Sequence, residues 1–182
     1  MRFQANRRTV VALALCATCA SWAAAQTPNI TIDRSAPIIS RHEIEINAPA
    51  EVVWKIQTDI NAWPQWRAKV TSASFSDEIK PGASFKWEDS GLKIVSTIRD
   101  VVPNRRIAWT GPAQGIYAVH VWEFTPTATG VRVHTEESWN GDGLAAQAKI
   151  YQPLLDQSLS DWLRLLKERS EASFANSVGR TR

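Results

Sequence analysis

Residues 116–139 read IYAVHVWEFTPTATGVRVHTEESW. Ala118, His120, Trp122 and Phe124 fall on alternate positions, and so do Val133, Thr135 and Glu137. Alternation at period two marks a strand with one buried face. Thr125 to Gly130 separates the two runs and reads as a turn. Two strands joined by a link of that length pair antiparallel. The predicted inner face carries His120, Thr135 and Glu137 among large apolar side chains, while Arg132, His134 and Glu136 point the other way.

The same period extends upstream. Val70 to Phe75, Ser84 to Glu88, Leu92 to Val102 and Arg106 to Thr110 all alternate. Lys80-Pro81-Gly82, Asp89-Ser90-Gly91, Pro103-Asn104 and Gly111 to Gly115 punctuate them. Phe85 and Trp87 share a face; so do Leu92, Ile94, Ser96 and Ile98, and so do Ile107 and Trp109. Before these runs, His42 to Ile46 predicts a first strand, with Ile44 and Ile46 together. Asn47-Ala48-Pro49 then predicts a helix start with Asn47 as cap. Val52, Val53, Ile56 and Ile60 recur at helical spacing until Trp63-Pro64 ends the run.

After Gly141-Asp142-Gly143 the period changes again. Ile150, Leu154, Leu155, Leu159, Trp162, Leu163 and Leu166 form a helical stripe, predicting one long helix from Asp142 to about Ser173. Pro153 lies inside it and implies either a kink or a helix that starts near that residue. The order is strand, helix pair, strands, long helix. It predicts an α+β domain in which an antiparallel sheet of about six to seven strands buries one face beneath the terminal helix.

An ordered set of residues resembles a known family. It begins with Ile44-x-Ile46-Asn47-Ala48-Pro49-Ala50-x-Val52-Val53-Trp54, then Asp59, Trp63-Pro64 and Trp66. It continues through Ser96-x-Ile98, Pro103-x-Arg105-x-Ile107-x-Trp109-x-Gly111, His120-x-Trp122-x-Phe124, Glu136-Glu137-Ser138 and Leu166-Lys167. This set resembles the SRPBCC, or polyketide cyclase/dehydrase, group of the START superfamily across about residues 40–172. The resemblance implies a helix-grip fold, a curved sheet wrapped around the long C-terminal helix with a cavity between. Members of that group bind lipids, sterols, polyketides or plant hormones, and some catalyse cyclisation or dehydration. Fold alone does not choose among these.

Composition narrows the classes. Residues 1–25 read as a secretory signal: Arg2, Arg7 and Arg8 are basic, Thr9 to Ala20 is apolar, and Ala23-Ala24-Ala25 suits cleavage. Residues 26–40 then form a flexible lead-in, 41–173 the domain and 174–182 a frayed tail. The chain has 21 Lys+Arg and 18 Asp+Glu, but three of the Arg and none of the acids lie in the leader. The mature chain is therefore neutral and has no field to attract nucleic acid. Cys16 and Cys19 leave with the leader, so thiol chemistry goes with them. The expected location is periplasmic or secreted, without stable membrane insertion after cleavage. Three His at scattered positions lack metal-ligand spacing, and neither a metal nor another cofactor is expected.

Phe85, Trp87, Ile94, Trp109 and Trp122 on the sheet and Leu155, Leu159 and Trp162 on the helix are the expected walls of a cavity for a small apolar molecule. Ser96, His120, Thr135 and Glu137 are its expected polar members. A buried carboxylate needs a partner, and His120 lies on the adjacent strand, so the two should hydrogen-bond. Such a pair can serve the core alone, anchor a ligand, or act as acid and base in enolisation or dehydration. Three readings follow: an exported carrier or sensor of a hydrophobic ligand, a cofactor-free cyclase, dehydratase or isomerase, and an interaction module whose eight remaining Trp fill the interior.

Overall fold

The computed structural model describes residues 29–180. The leader assigned to residues 1–25 lies outside them. Seven strands form one sheet: β1 (Ile38–Ile46), β2 (Val70–Ser74), β3 (Ser84–Asp89), β4 (Leu92–Val102), β5 (Arg106–Ala113), β6 (Ile116–Pro126) and β7 (Val131–Asn140). Their order is β1-β7-β6-β5-β4-β3-β2, and every neighbouring pair is antiparallel. From β2 onward the chain simply folds back on itself. The first strand closes the far edge against the last. Helix α1 (Ala50–Thr58) and a 3-10 turn (Ile60–Gln65) connect the two edges. This is the curved antiparallel sheet with a long C-terminal helix expected of a helix-grip domain.

Two hairpins have two-residue loops, Ser90-Gly91 and Gln114-Gly115, with φ of 53° and 82° and of 47° and 82°. Both loop residues in this turn need positive φ, and glycine supplies the second without strain. The long strands thus turn without splaying, and both tips reach the same end of the sheet.

Helix α2 (Ala148–Gly179) carries the covering face. Its backbone runs close to β1 and α1 and approaches β7 only lightly. Leu155 and Leu159 pack with Ile38 and Leu144. Gln152 exchanges hydrogen bonds with both backbone groups of Ile39, at 3.3 and 2.9 Å, and Ser40 Oγ donates to Asp156 Oδ1 at 2.6 Å. The helix is therefore stapled to one edge of the sheet, and a gap opens beneath it towards β3–β6.

Several element bounds differ from the sequence reading, and β5 runs on to Ala113 through the expected Gly111–Gly115 turn. The first strand begins at Ile38, not His42, because β7 offers partners along its whole length. Helix α1 follows Pro49, with no side-chain cap; Asn47 instead gives its backbone N–H to Glu171 Oε1 at 2.9 Å. A short 3-10 turn (Ala145–Gln147) precedes α2, and Pro153 is accommodated early in a helix that continues to Gly179. The helix therefore runs through most of the expected frayed tail. The lead-in is also docked where described. Ile32 is buried with Ala108, Val119 and Val121 on the face away from α2, and Asp33 donates its backbone N–H to Ser138 Oγ at 3.0 Å and accepts from Asn140 Nδ2 at its Oδ2 at 2.8 Å.

Candidate functional site

The gap beneath α2 is filled unevenly. Trp63, from the 3-10 turn, sits at its middle, with ring centroids 5.6 Å from Phe85, 5.5 Å from Trp87 and 5.1 Å from Trp162. Trp122 lies 5.3 Å from Trp162, and Trp109 stacks 6.4 Å from Trp122. These rings close the end of the grip nearest α1. At the hairpin-tip end a cavity of about 590 Å³ remains among the described residues. That volume is in the range of small-molecule sites.

Of the residues expected around a ligand, Trp87, Ile94, Ser96, Trp109, Glu137 and Trp162 line this cavity. Phe85, His120, Trp122, Thr135, Leu155 and Leu159 do not; they are buried behind its wall or elsewhere in the core. Alternation identifies the face of a strand but not how deep along it the interior is packed. On α2, Leu155 and Leu159 face β1. The neighbouring stripe, Tyr151, Leu154, Ser158 and Trp162, faces the cavity. Trp139, Leu144 and Tyr151 complete the apolar rim, which sequence reading missed. Gly111 lies in the wall: a Cβ there would stand 3.0 Å from Ser96 Oγ, so a larger residue would crowd that hydroxyl.

His120 and Glu137 are direct cross-strand partners between β6 and β7. His120 Nδ1 is 3.1 Å from Glu137 Oε2, and its Nε2 is 2.8 Å from Thr135 Oγ1. Trp139 Nε1 donates to Glu137 Oε1 at 2.7 Å. Burial pushes the Glu137 carboxyl up to about 7, against the opposing pull of the Trp139 N–H and Arg67. Burial, helped by Arg67, holds the His120 imidazole well below its ordinary value. The imidazole is thus neutral, and the carboxyl exchanges its proton near neutral pH. His42 and His134 are half-buried and outside the cavity lining, His42 under α2 near Asp156 and His134 on the opposite face. Among the described residues no cluster of His, Cys, Asp and Glu could hold a metal ion.

Arg67 is the functional candidate that sequence reading missed. It follows the 3-10 turn and is 1% exposed. Its Nη2 donates to Asp89 Oδ2 at 2.6 Å and to Ser158 Oγ at 3.0 Å, and its guanidinium lies 3.7 Å over the Trp162 ring. Nε and Nη1 find no partner among the described residues. A turn residue has no period to betray its burial. Asp89, Ser158 and Trp162 all line the cavity, so the cation stands directly behind its wall.

With this geometry in view, the comparisons are specific about kinship. Residues 37–171 match the family model described as polyketide cyclase / dehydrase and lipid transport. The chain belongs to that family, whose members bind or transform hydrophobic, polyketide-like molecules. A Streptomyces cyaneus protein described as a candidate polyketide cyclase is 28% identical over 106 residues, covering 52% of this chain and 68% of that one. A hypothetical protein of Helicobacter pylori has the same fold at 19% identity and a TM-score of 0.67, covering 80% of this chain and 99% of its own. An aromatase/cyclase from Streptomyces sp. R1128 superposes with a TM-score of 0.65 at 12% identity, over 73% of this chain and 93% of that one. A START superfamily protein from Mycobacterium smegmatis does so at 0.57 and 13%, over 76% and 97%. No helix among the described residues is long and apolar enough to cross a membrane.

Proposed function

We propose that this chain is an exported binding protein that holds a small, largely apolar molecule between its sheet and α2. The observation that carries the reading is the unfilled part of the grip: about 590 Å³ walled by Trp87, Trp109, Trp139 and Trp162, with Ser96 and Glu137 among its polar lining. Few converging polar groups within apolar walls are the usual make-up of a ligand site. Export is supported by the composition of residues 1–25. The test is native mass spectrometry of the protein purified from its own host, followed by solvent extraction. The expected result is a small-molecule adduct that extraction releases. Ala118→Phe, which directs a ring into the cavity from β6, should leave the protein folded and the adduct absent. A bare mass in the natural chain, together with no thermal shift across a panel of lipids and polycyclic phenols, overturns the reading.

One observation favours a second reading, a cofactor-free cyclase, dehydratase or isomerase. Glu137 lines the cavity and titrates near 7, where a general acid or base works best. Binding is preferred because both His120 nitrogens are already engaged inside the protein, which withdraws the imidazole as a proton relay. Turnover of an extracted guest by the natural chain, absent in Glu137→Gln, would decide for the enzyme.

A further inference from the structure

Thr135 is fully buried beneath His120. Its hydroxyl has one proton, and it donates that proton to the Val121 carbonyl at 3.0 Å. Oγ1 therefore meets His120 Nε2 as an acceptor, and Nε2 carries the ring proton. A neutral imidazole then has a bare Nδ1. Glu137 Oε2 stands 3.1 Å away. Two unprotonated acceptors at that distance in a dry interior repel, so one proton lies between them, on the carboxyl. Oε1 already accepts the Trp139 N–H. The acid has spent its only donor on His120 and shows the cavity only lone pairs. Ser96 is the complement: its Oγ accepts the Trp87 N–H at 3.0 Å and keeps its own O–H to give.

We propose that the cavity selects an uncharged guest that offers a hydroxyl donor to Glu137 and an oxygen acceptor to Ser96, with Thr135 as the positioning residue that fixes the His120 tautomer. The inference rests on the ligand-pocket reading above. The surrounding charges are paired across elements: Arg67 favours the neutral imidazole, and its pull on the Glu137 proton is opposed by Asp89. Arg67 is held by Asp89 of β3 at 2.6 Å, and Lys69 by Asp161 of α2 at 3.1 Å. Asp142 stands at the rim, away from the inner wall, exposed to water.

Three probes of one shape test it by calorimetry on the full chain at pH 6: 2-naphthol, 2-methoxynaphthalene and 2-naphthoate. The hydroxyl should bind about ten-fold tighter than its methyl ether, the worth of one good hydrogen bond. Thr135→Val should shrink that ratio without changing the affinity for the ether. Nitrogen NMR of the His120 ring in the natural chain reads the tautomer directly, and the proton is expected on Nε2. Equal affinity for all three probes, tightest binding of the naphthoate, or a proton on Nδ1 overturns the proposal while leaving the pocket in place. No binding by any probe also overturns this inference, while the pocket reading is decided separately by the adduct and thermal-shift test above.

Discussion

Glu137 makes the clearest demand on solution behaviour. Its carboxyl is raised from 4.5 to about 7, so between those values the folded chain keeps a proton that the unfolded chain has released. The stability this supplies is present at low pH and is lost as pH rises through that window. Glu137→Gln cannot titrate. Urea midpoints should show the natural chain losing ground to Glu137→Gln between pH 4.5 and 7, with a constant gap above. His120 acts with the opposite sign. It stays neutral in the fold, so protonation of the unfolded chain costs stability below its ordinary 6.5, and His120→Phe should be less acid-sensitive. Arg67 gives a second test at the same scale. Its side chain is 2% exposed and that of Asp89 12%, so Arg67→Met leaves a shielded carboxylate without its cation. The expected loss is about 3 kcal/mol by equilibrium unfolding, and Arg67→Met combined with Asp89→Leu should recover most of it.

At the scale of elements, the strands were legible because half-buried strands alternate, and the helix because its apolar stripe is long. That pattern places His120 and Glu137 on the same face of consecutive strands, and the register makes them direct partners. It could not say that His120 lies behind the cavity wall while Glu137 reaches through it, since period two sets the face and not the depth. The docked lead-in was illegible for a different reason. Only Ile30 and Ile32 alternate there, a pattern too brief to distinguish from chance. Yet Ile32 is 3% exposed and shields Ala108, Val119 and Val121. Ile32→Ser should therefore cost about 2 kcal/mol, as burial of one aliphatic side chain implies. A thermal melt unchanged by that substitution would mean the segment is not docked in solution.

Taken whole, the molecule divides its interior. The end nearest α1 is packed with indoles, and the end at the hairpin tips is left open. Trp87, Trp109 and Trp162 form the partition, packed on one side and facing the cavity on the other. At a hundred times its dissociation constant, a guest should stabilise the fold by about 2.7 kcal/mol, raising Tm by several degrees in the natural chain and not in Ala118→Phe. The packed end also has an optical consequence. Trp63, Trp122 and Trp162 lie with ring centroids 5.1 and 5.3 Å apart, close enough for their excited states to mix. Such coupling gives strong, sign-alternating bands in near-ultraviolet circular dichroism. Trp162 belongs both to that coupled set and to the cavity wall, so an arriving aromatic guest would join the exciton and announce itself in the spectrum without any added dye.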